Sequence, residues 1–126
     1  MTRVLIVDDD ALLQDILAER LSLRNYEVFI ATNGQEAVDA ARLINPDVIL
    51  MDMQLPILTG WEATKLLKAA PETRSIAVIA LTAHAPLNDR QKSLDAGCDD
   101  FESKPINFDR LIRKIEGFVA RQNFTE

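Results

Sequence analysis

Short blocks of apolar residues alternate along this chain with segments in which apolar residues recur every three or four positions. Apolar runs without polar alternation are typical of strands that are buried on both faces of a parallel sheet. Recurrence at helical spacing, as at Leu13, Ile16, Leu17 and Leu21, predicts an amphipathic helix. The predicted strands span 3–7, 28–31, 48–51, 76–81 and 100–103, and the predicted helices span 11–23, 34–44, 61–69, 87–96 and 107–121. This order indicates an α/β fold in which helices cover both faces of a parallel sheet.

Turn and capping residues separate these segments. Pro46 follows the second helix and stops it, since the residue before a proline disfavours helical torsion angles. Gly97 follows the fourth helix in the position of a C-terminal cap. Asn107 stands where its side chain can cap the start of the fifth helix. The boundaries therefore have local causes as well as a hydrophobic period.

Polar side chains stand where four of the predicted strands end. Asp8 and Asp9 follow the first strand, and Asp52 follows the third. Thr82 follows the fourth strand, and Lys104 follows the fifth. Because the carboxyl ends of parallel strands share one edge of the sheet, we expect these side chains to meet in one crevice. Such a cluster of charges is costly unless it binds a cation and reacts with something anionic.

The three carboxylates of Asp8, Asp9 and Asp52 suggest a magnesium site. Carboxylate oxygens together with water are the ligands that Mg²⁺ prefers. An alternative is that Asp8, Asp9 and Asp10 cap the helix that starts near residue 11. Capping explains one aspartate well and three poorly, and both interpretations can hold together.

Asp52, Thr82 and Lys104 together suggest phosphoryl chemistry. A carboxylate can act as a nucleophile and form an acyl phosphate. A lysine and a threonine can hold the phosphoryl oxygens, so that the protein supplies mainly positioning and charge. Each residue alone has an ordinary explanation, as a surface lysine, a strand-end hydroxyl or a helix cap. Their shared position at the strand ends favours a common function.

Composition bounds the possible partners. The chain has 126 residues, enough for one domain with a core and too few for two, and we expect a single domain over 1–126. Its formal net charge is -6 without a visible basic patch, which argues against nucleic-acid or anionic-membrane partners. No apolar run approaches the ~20 residues of a membrane span. The lone Cys98 cannot form an internal disulfide, so a cytoplasmic protein is the simplest interpretation.

The chain resembles a receiver domain of the two-component response-regulator family. The resemblance rests on VDDD at 7–10, VILMDMQLP at 48–56, Gly60, LTA at 81–83, AGCDDF at 96–101 and KPI at 104–106. It covers essentially the whole sequence and implies a flavodoxin-like (βα)5 three-layer sandwich with strand order 2-1-3-4-5. It also implies a stand-alone receiver without an output domain. The family more often has Asp or Asn where Thr59 stands, which we interpret as a tolerated turn variant.

The resemblance assigns roles to the acidic residues. Asp52 would accept a phosphoryl group from a phosphohistidine on a histidine kinase or a histidine phosphotransfer protein. Asp8 and Asp9 would form the acid pair that binds Mg²⁺ together with Asp52. Gln54 would contribute its backbone carbonyl to the same ion. Donor docking is expected near Leu12, Leu13 and Ile16 on the first helix and the loop at 105–106.

The resemblance also predicts a switch. Thr82 and Lys104 would contact the phosphoryl group, and Phe101 would occupy the aromatic switch position. Phosphorylation would draw Thr82 inward and let the ring of Phe101 rotate, which remodels the surface of the fourth helix, fifth strand and fifth helix. A downstream protein would recognise that surface. The bond before Pro105 is expected to be cis by resemblance, against a base rate of ~5–6%.

Gln54 and His84 lie two residues beyond Asp52 and Thr82, respectively. The matching family positions flank the path of the attacking water, so we hypothesise that this pair sets the lifetime of the acyl phosphate. The alternative that His84 is an ordinary exposed loop residue stays open. His84 does not indicate a zinc site, because no second histidine or ligand-spaced cysteine accompanies it.

Two other functions compete with a signalling receiver that catalyses only its own phosphorylation and slow dephosphorylation. A magnesium-dependent phosphatase with an aspartyl-phosphate intermediate would carry a second aspartate two residues after the nucleophile, where this chain has Gln54. A phosphorylation-independent binding module on the same fold would not need the complete set of site residues. Turnover of a phosphomonoester would favour the first alternative, and absence of Mg²⁺ affinity would favour the second.

Overall fold

The computed structural model describes residues 1–83 and 87–124, so the prediction about His84 lies outside the described residues. The elements are β1 (Arg3–Val7), α1 (Ala11–Ser22), β2 (Glu27–Ala31), α2 (Gly34–Ile44), β3 (Val48–Asp52), α3 (Gly60–Ala69), β4 (Ala77–Thr82), α4 (Leu87–Ala96), β5 (Asp100–Ser103) and α5 (Phe108–Phe124). Within the described residues, no helix is both long enough and apolar enough to cross a membrane.

The five strands form one parallel sheet with the order β2-β1-β3-β4-β5, which confirms the predicted flavodoxin-like fold. β3 and β4 each extend one residue further than predicted. Asp52 pairs with Leu81, and Thr82 pairs with Ser103, so both polar residues still belong to the sheet. The hydrophobic pattern predicted that these strands end one residue too early, because the last side chain of each strand is polar. The backbone hydrogen bonds of the sheet nevertheless continue through that residue.

The sheet is the middle of three layers, with a separate core on each face. One core joins the sheet to α2 and α3 through residues such as Ala37, Val38, Ala41, Ala63 and Leu67. The other joins it to α1 and α5 through Leu17, Leu21, Leu111, Ile112 and Ile115. β1, β3 and β4 lie between these cores and are almost completely buried, which explains why their sequences read as continuous apolar runs.

Capping contacts account for the helix starts. The Asp10 carboxylate accepts hydrogen bonds from the backbone N–H groups of Leu12 and Leu13, so Asp10 is the capping aspartate of α1. Thr59 and Glu62 form a reciprocal capping box at the start of α3, which gives a physical reason for the unusual threonine. Asn107 Oδ1 accepts a hydrogen bond at 3.0 Å from the backbone N–H of Arg110. Asn107 thus caps α5, which begins at Phe108.

Gly60 closes the loop after β3. Its N–H donates to the carbonyl of Met53 at 3.2 Å. A Cβ atom at this position would lie only 2.2 Å from the carbonyl oxygen of Asp52 and 2.7 Å from the Cα of Met53. The loop can therefore pack directly against the end of β3 only because residue 60 has no side chain.

We predict opposite effects for two glycine-to-alanine substitutions. Gly60→Ala is expected to lower the free energy of unfolding by about 1–3 kcal/mol, because the new methyl group meets backbone atoms that cannot move aside cheaply. Gly117→Ala is expected to raise it by about 0.5–1 kcal/mol, because position 117 lies inside α5 and has open space around it. Urea denaturation measures both changes. Equal stability of Gly60→Ala and the wild type would contradict the proposed close packing.

Candidate functional site

Three aspartates meet at the carboxyl edge of the sheet. Asp8 and Asp9 follow β1, and Asp52 ends the neighbouring strand β3. One carboxylate oxygen from each of the three lies within 4.8 Å of the others. Asp8 and Asp52 are buried, whereas Asp9 is exposed. The structure therefore brings together the carboxylates that the strand ends predicted, in an arrangement that could hold a divalent cation.

Lys104 reaches this cluster from the far edge of the sheet. Its Nζ lies 3.0 Å from Asp8 Oδ2 and 3.5 Å from Asp52 Oδ2. Its backbone N–H donates to the carbonyl of Thr82 at 2.7 Å, and the Lys104–Pro105 peptide bond is cis. Burial of the lysine opposes its charge, but the contacts with Asp8 and Asp52 outweigh burial and raise the pKa of the ammonium. The site thus contains a charged ammonium between two buried carboxylates.

Asp52 is a carboxylate that is largely removed from water. Its side chain is only 5% exposed, and Oδ1 accepts a hydrogen bond at 3.0 Å from the backbone N–H of Gln54. Burial raises the pKa of Asp52, with repulsion from Asp8 and Asp9 adding to it, against the opposing effects of the Gln54 N–H and Lys104. A carboxylate in this environment gains from any additional positive charge.

Thr82 supplies a buried hydroxyl at the end of β4. The residue is 2% exposed, and its Oγ1 has no hydrogen-bond partner among the residues that the structure describes. A buried polar group without a partner is uncommon in native structures. The Thr82 hydroxyl therefore stands at the end of β4 with its hydrogen-bonding capacity unused among the described residues.

The sequence also predicted roles for the backbone carbonyl of Gln54 and for the ring of Phe101. Gln54 has an exposed side chain, and its backbone N–H is already bonded to Asp52. Phe101 is half-buried on β5, where its ring lies between Arg90 of α4 at 5.0 Å and Lys114 of α5 at 5.5 Å from the ring centroid. The ring therefore faces the surface between these two helices.

Gln14 was not predicted to take part in the site. Its Nε2 donates a hydrogen bond to the backbone carbonyl of Asp8, and thereby links α1 to the turn that carries the two leading aspartates. A glutamine inside an amphipathic helix has no distinguishing signal in a single sequence. Only the fold shows that its amide reaches the end of β1.

Glu102 was also missed, although it is the most deeply buried acid of β5. Its side chain is 0% exposed and receives Arg110 Nε at 2.9 Å and Lys114 Nζ at 3.1 Å. Burial tends to raise the pKa of Glu102, but the hydrogen bonds from Arg110 and Lys114 outweigh this and lower it. A signal did exist, because Arg110 and Lys114 are four residues apart and so share one face of α5.

The family described as "Response regulator receiver domain" matches residues 4–116 of the chain. The chain belongs to the response regulator receiver family. Relatives of this receiver include the polar-differentiation response regulator DivK of Brucella anthropi, which is 41% identical over 117 residues, or 93% of this chain and 95% of that protein. DivK of Brucella ovis is 40% identical over the same coverage. The receiver is therefore a signalling protein, which disfavours the phosphatase alternative.

Solved receiver structures share its fold. The receiver domain of Ssk1 from Saccharomyces cerevisiae, crystallised with the histidine phosphotransfer protein Ypd1, has a TM-score of 0.91 and 34% identity, covering 96% of this chain and 90% of that one. The receiver domain of a sensor histidine kinase from Pseudomonas aeruginosa has a TM-score of 0.88 and 34% identity, covering 94% and 98%. That structure holds a magnesium ion in its active-site cleft.

We predict that Asp52→Asn stabilises the receiver at neutral pH when divalent ions are absent. The raised pKa of Asp52 means that the folded state binds its proton more tightly than the unfolded state, so the ionised carboxylate destabilises the fold. This cost is present above the folded pKa and disappears below the unfolded value near ~3.9. The gain in unfolding free energy should therefore shrink as the pH falls from 7 toward that value.

Urea denaturation in EDTA at several pH values measures this effect. Asp39→Asn is a suitable control, since Asp39 is exposed on α2 and is not one of the three clustered aspartates. A variant Asp52→Asn that is less stable than the wild type at pH 7 would contradict the electrostatic interpretation.

Proposed function

We propose that Asp52 is the phosphoacceptor of this receiver. A carboxylate oxygen of Asp52 forms a bond to phosphorus while the bond between phosphorus and the imidazole nitrogen of a phosphohistidine breaks. The electron pair of the broken bond stays with the imidazole. The observation that carries the proposal is the position of this 5%-exposed carboxylate, 3.5 Å from Lys104 and beside two further aspartates. The donor is a histidine kinase or a histidine phosphotransfer protein.

Lys104 and Thr82 are proposed to hold the transferred group. Lys104 carries a charge between Asp8 and Asp52, and a phosphoryl group on Asp52 would bring anionic oxygens within its reach. The Thr82 hydroxyl gains a partner when a phosphoryl oxygen arrives, which gives a physical reason for its movement toward the site. Both groups then stabilise the negative charge that phosphorylation adds.

Mg²⁺ is the cofactor that the donor set fits. The carboxylates of Asp8, Asp9 and Asp52 and the backbone carbonyl of Gln54 are hard oxygen ligands, and the three carboxylate oxygens already lie within 4.8 Å of each other. When bound, the ion would offset the repulsion among the aspartates and the charge of the incoming phosphoryl group. Gln14 would help to keep the first two aspartates in place through its bond to the Asp8 carbonyl. The magnesium-bound receiver of Pseudomonas aeruginosa supports this assignment.

Donor docking is proposed on an apolar depression beside the site. Leu12 on α1 is 68% exposed and lines a depression together with Lys104 and Pro105. A cavity of about 270 Å³ lies there, lined by Asp10, Leu12, Leu13, Ile16, Lys104, Pro105, Ile106 and Phe108. Apolar exposure next to the phosphoacceptor suits a transient protein interface. The complex of the related Ssk1 receiver with Ypd1 supports a phosphotransfer protein as partner.

The output is proposed to be a protein contact on the surface of α4, β5 and α5. Thr82 and Phe101 would couple the site to that surface, as a shift between two packings that both exist before phosphorylation. A single receiver domain over 1–126, acting in the cytoplasm without nucleic acid or membrane, completes the proposal. The net charge of -6 supports the absence of polyanionic partners.

We predict that incubation with a small phosphodonor such as acetyl phosphate, in the presence of Mg²⁺, adds one labile phosphoryl group per chain. Asp52→Asn should abolish this addition, because an amide is not a competent nucleophile. Asp39→Asn should behave as the wild type, since this aspartate is exposed on α2. Intact-mass spectrometry measures the product, and EDTA should prevent it.

Stoichiometric acid-labile phosphate on Asp52→Asn would show that the acceptor is another residue. Failure of the wild type both to bind Mg²⁺ and to accept phosphate would favour a phosphorylation-independent binding module.

We predict that replacing Gln54 and His84 together changes the rate of autodephosphorylation by about tenfold, equivalent to ~1.4 kcal/mol in activation free energy. The reason is that both positions would flank the path of the attacking water. Loss of labile phosphate from the purified phosphoprotein, followed over time by mass spectrometry, measures the rate. Single replacements separate the two contributions, and an unchanged rate in the double variant would remove the hypothesis.

A further inference from the structure

The ring of Phe101 lies between two cations that come from the neighbouring helices α4 and α5. The guanidinium carbon of Arg90 is 5.0 Å from the ring centroid, and Lys114 Nζ is 5.5 Å from it. Both distances are within the ~6 Å at which a cation is attracted to the face of an aromatic ring. A phenylalanine ring has no hydroxyl group to form a hydrogen bond, so its position depends on packing and on contacts of this kind.

The two cations differ in their other contacts. Lys114 Nζ lies 3.1 Å from Glu102 Oε1 and 3.5 Å from Asp100 Oδ1, and it also donates to the carbonyl of Phe101. Arg90 is exposed, and among the residues that the structure describes its recorded contact is the ring of Phe101. The charge of Lys114 is therefore balanced by two carboxylates, whereas Arg90 has the ring as its recorded partner.

The same ring is linked to the phosphoacceptor site through β4. Phe101 pairs with Ala80, which lies two residues before Thr82. The Thr82 hydroxyl is buried without a partner among the described residues, and a phosphoryl group on Asp52 would supply one. In the proposed switch, the ring moves inward when Thr82 moves toward the site. That movement would take the ring away from its contacts with the two cations.

We propose that Arg90 is a positioning residue that holds the Phe101 ring in its outward position before phosphorylation. A cation at a partly exposed ring favours the contact by about two- to fivefold in population. Because a phosphoryl group favours the inward packing, the outward contact opposes the response to phosphorylation by up to the same factor. The inference rests on the proposed function, since it takes Asp52 as the acceptor and the ring as its switch.

The test measures the affinity of the full chain for beryllium fluoride in the presence of Mg²⁺, by isothermal titration calorimetry. Beryllium fluoride is an anion that adds to a carboxylate oxygen as a tetrahedral mimic of a phosphoryl group. Arg90→Met keeps an unbranched side chain on α4 but removes its charge, and it should tighten this binding by about two- to fivefold. Loss of a positive charge alone would weaken the binding of an anion, so the sign of the change separates the two effects. Arg90→Lys retains a cation and should stay within about twofold of the wild type.

Lys92→Met is the matched control. Lys92 lies on the same helix, and its Nζ is 3.8 Å from the ring centroid of Trp61 on α3. The replacement therefore removes the same charge and the same kind of contact from α4, but at a ring that does not belong to the switch. It should not tighten the binding of beryllium fluoride. An equal gain in Arg90→Met and Lys92→Met would assign the effect to a loosened α4 and overturn the proposal.

A double-mutant cycle tests whether Arg90 acts through the ring. Phe101→Leu removes the aromatic face and keeps an apolar side chain on β5. In that background, Arg90→Met should no longer tighten the binding. The ring is also followed directly, by nuclear Overhauser contacts between the Phe101 ring protons and the Thr82 methyl group. These contacts should be stronger in free Arg90→Met than in the free wild type, because more of the rings point inward.

Three results would each overturn the proposal: unchanged or weaker binding in Arg90→Met, a gain that persists in the Phe101→Leu background, and ring contacts of wild-type strength in free Arg90→Met. Failure of the phosphoacceptor assignment has a different signature. Asp52→Asn would then bind beryllium fluoride as tightly as the wild type, while the ring contacts of the free protein would still respond to Arg90→Met.

Discussion

The ammonium group of Lys104 lies between two buried carboxylates and connects the strand ends that form the site. Lys104 Nζ lies 3.0 Å from Asp8 and 3.5 Å from Asp52, and so connects the end of β5 with the ends of β1 and β3. The first of these contacts joins residues that are 96 positions apart in sequence. Without this charge, the two carboxylates would repel each other in an environment with little water to separate them. The crevice is still short of positive charge, since one ammonium faces three carboxylates. This favours a divalent cation, and a bound cation would in turn favour an incoming anionic phosphoryl group.

The short strand β5 connects that crevice with the opposite surface. Its last residue pairs with Thr82, and the N–H of Lys104 donates to the Thr82 carbonyl. Two residues earlier, Phe101 pairs with Ala80 and presents its ring between α4 and α5. The intervening Glu102 is held from α5 by Arg110 and Lys114. Because successive side chains of a strand point to opposite faces, Phe101 packs against the core that contains α2 and α3, whereas Glu102 pairs with α5. Thr82 and Phe101 are therefore linked through one strand pairing and three consecutive residues of β5.

The contacts of the three consecutive aspartates show which one caps a helix and which two lie in the carboxylate cluster. Three consecutive aspartates left open whether they cap a helix or bind a metal. Asp10 accepts the capping hydrogen bonds of α1, while Asp8 and Asp9 are left to join Asp52 at the sheet edge. Thr59 likewise has a structural role, since its capping box with Glu62 starts α3 directly after the loop that Gly60 closes. The capping role of Asp10 therefore leaves the neighbouring carboxylates available to the site.

Hydrophobic periodicity, turn residues and the strand-end polar residues were sufficient to predict the α/β fold, all ten elements to within a few residues, and the meeting of Asp8, Asp9, Asp52 and Lys104. These features are local or follow from the geometry of parallel strands, so the order of residues along the chain determines them. The sequence could not show that Gln14 bonds to the Asp8 carbonyl or that Glu102 is buried with Arg110 and Lys114. Those contacts depend on the angle and register at which α1 and α5 pack on the sheet. Packing of that kind is decided by the whole core, because many side chains must fit at once before one long polar side chain can reach its partner.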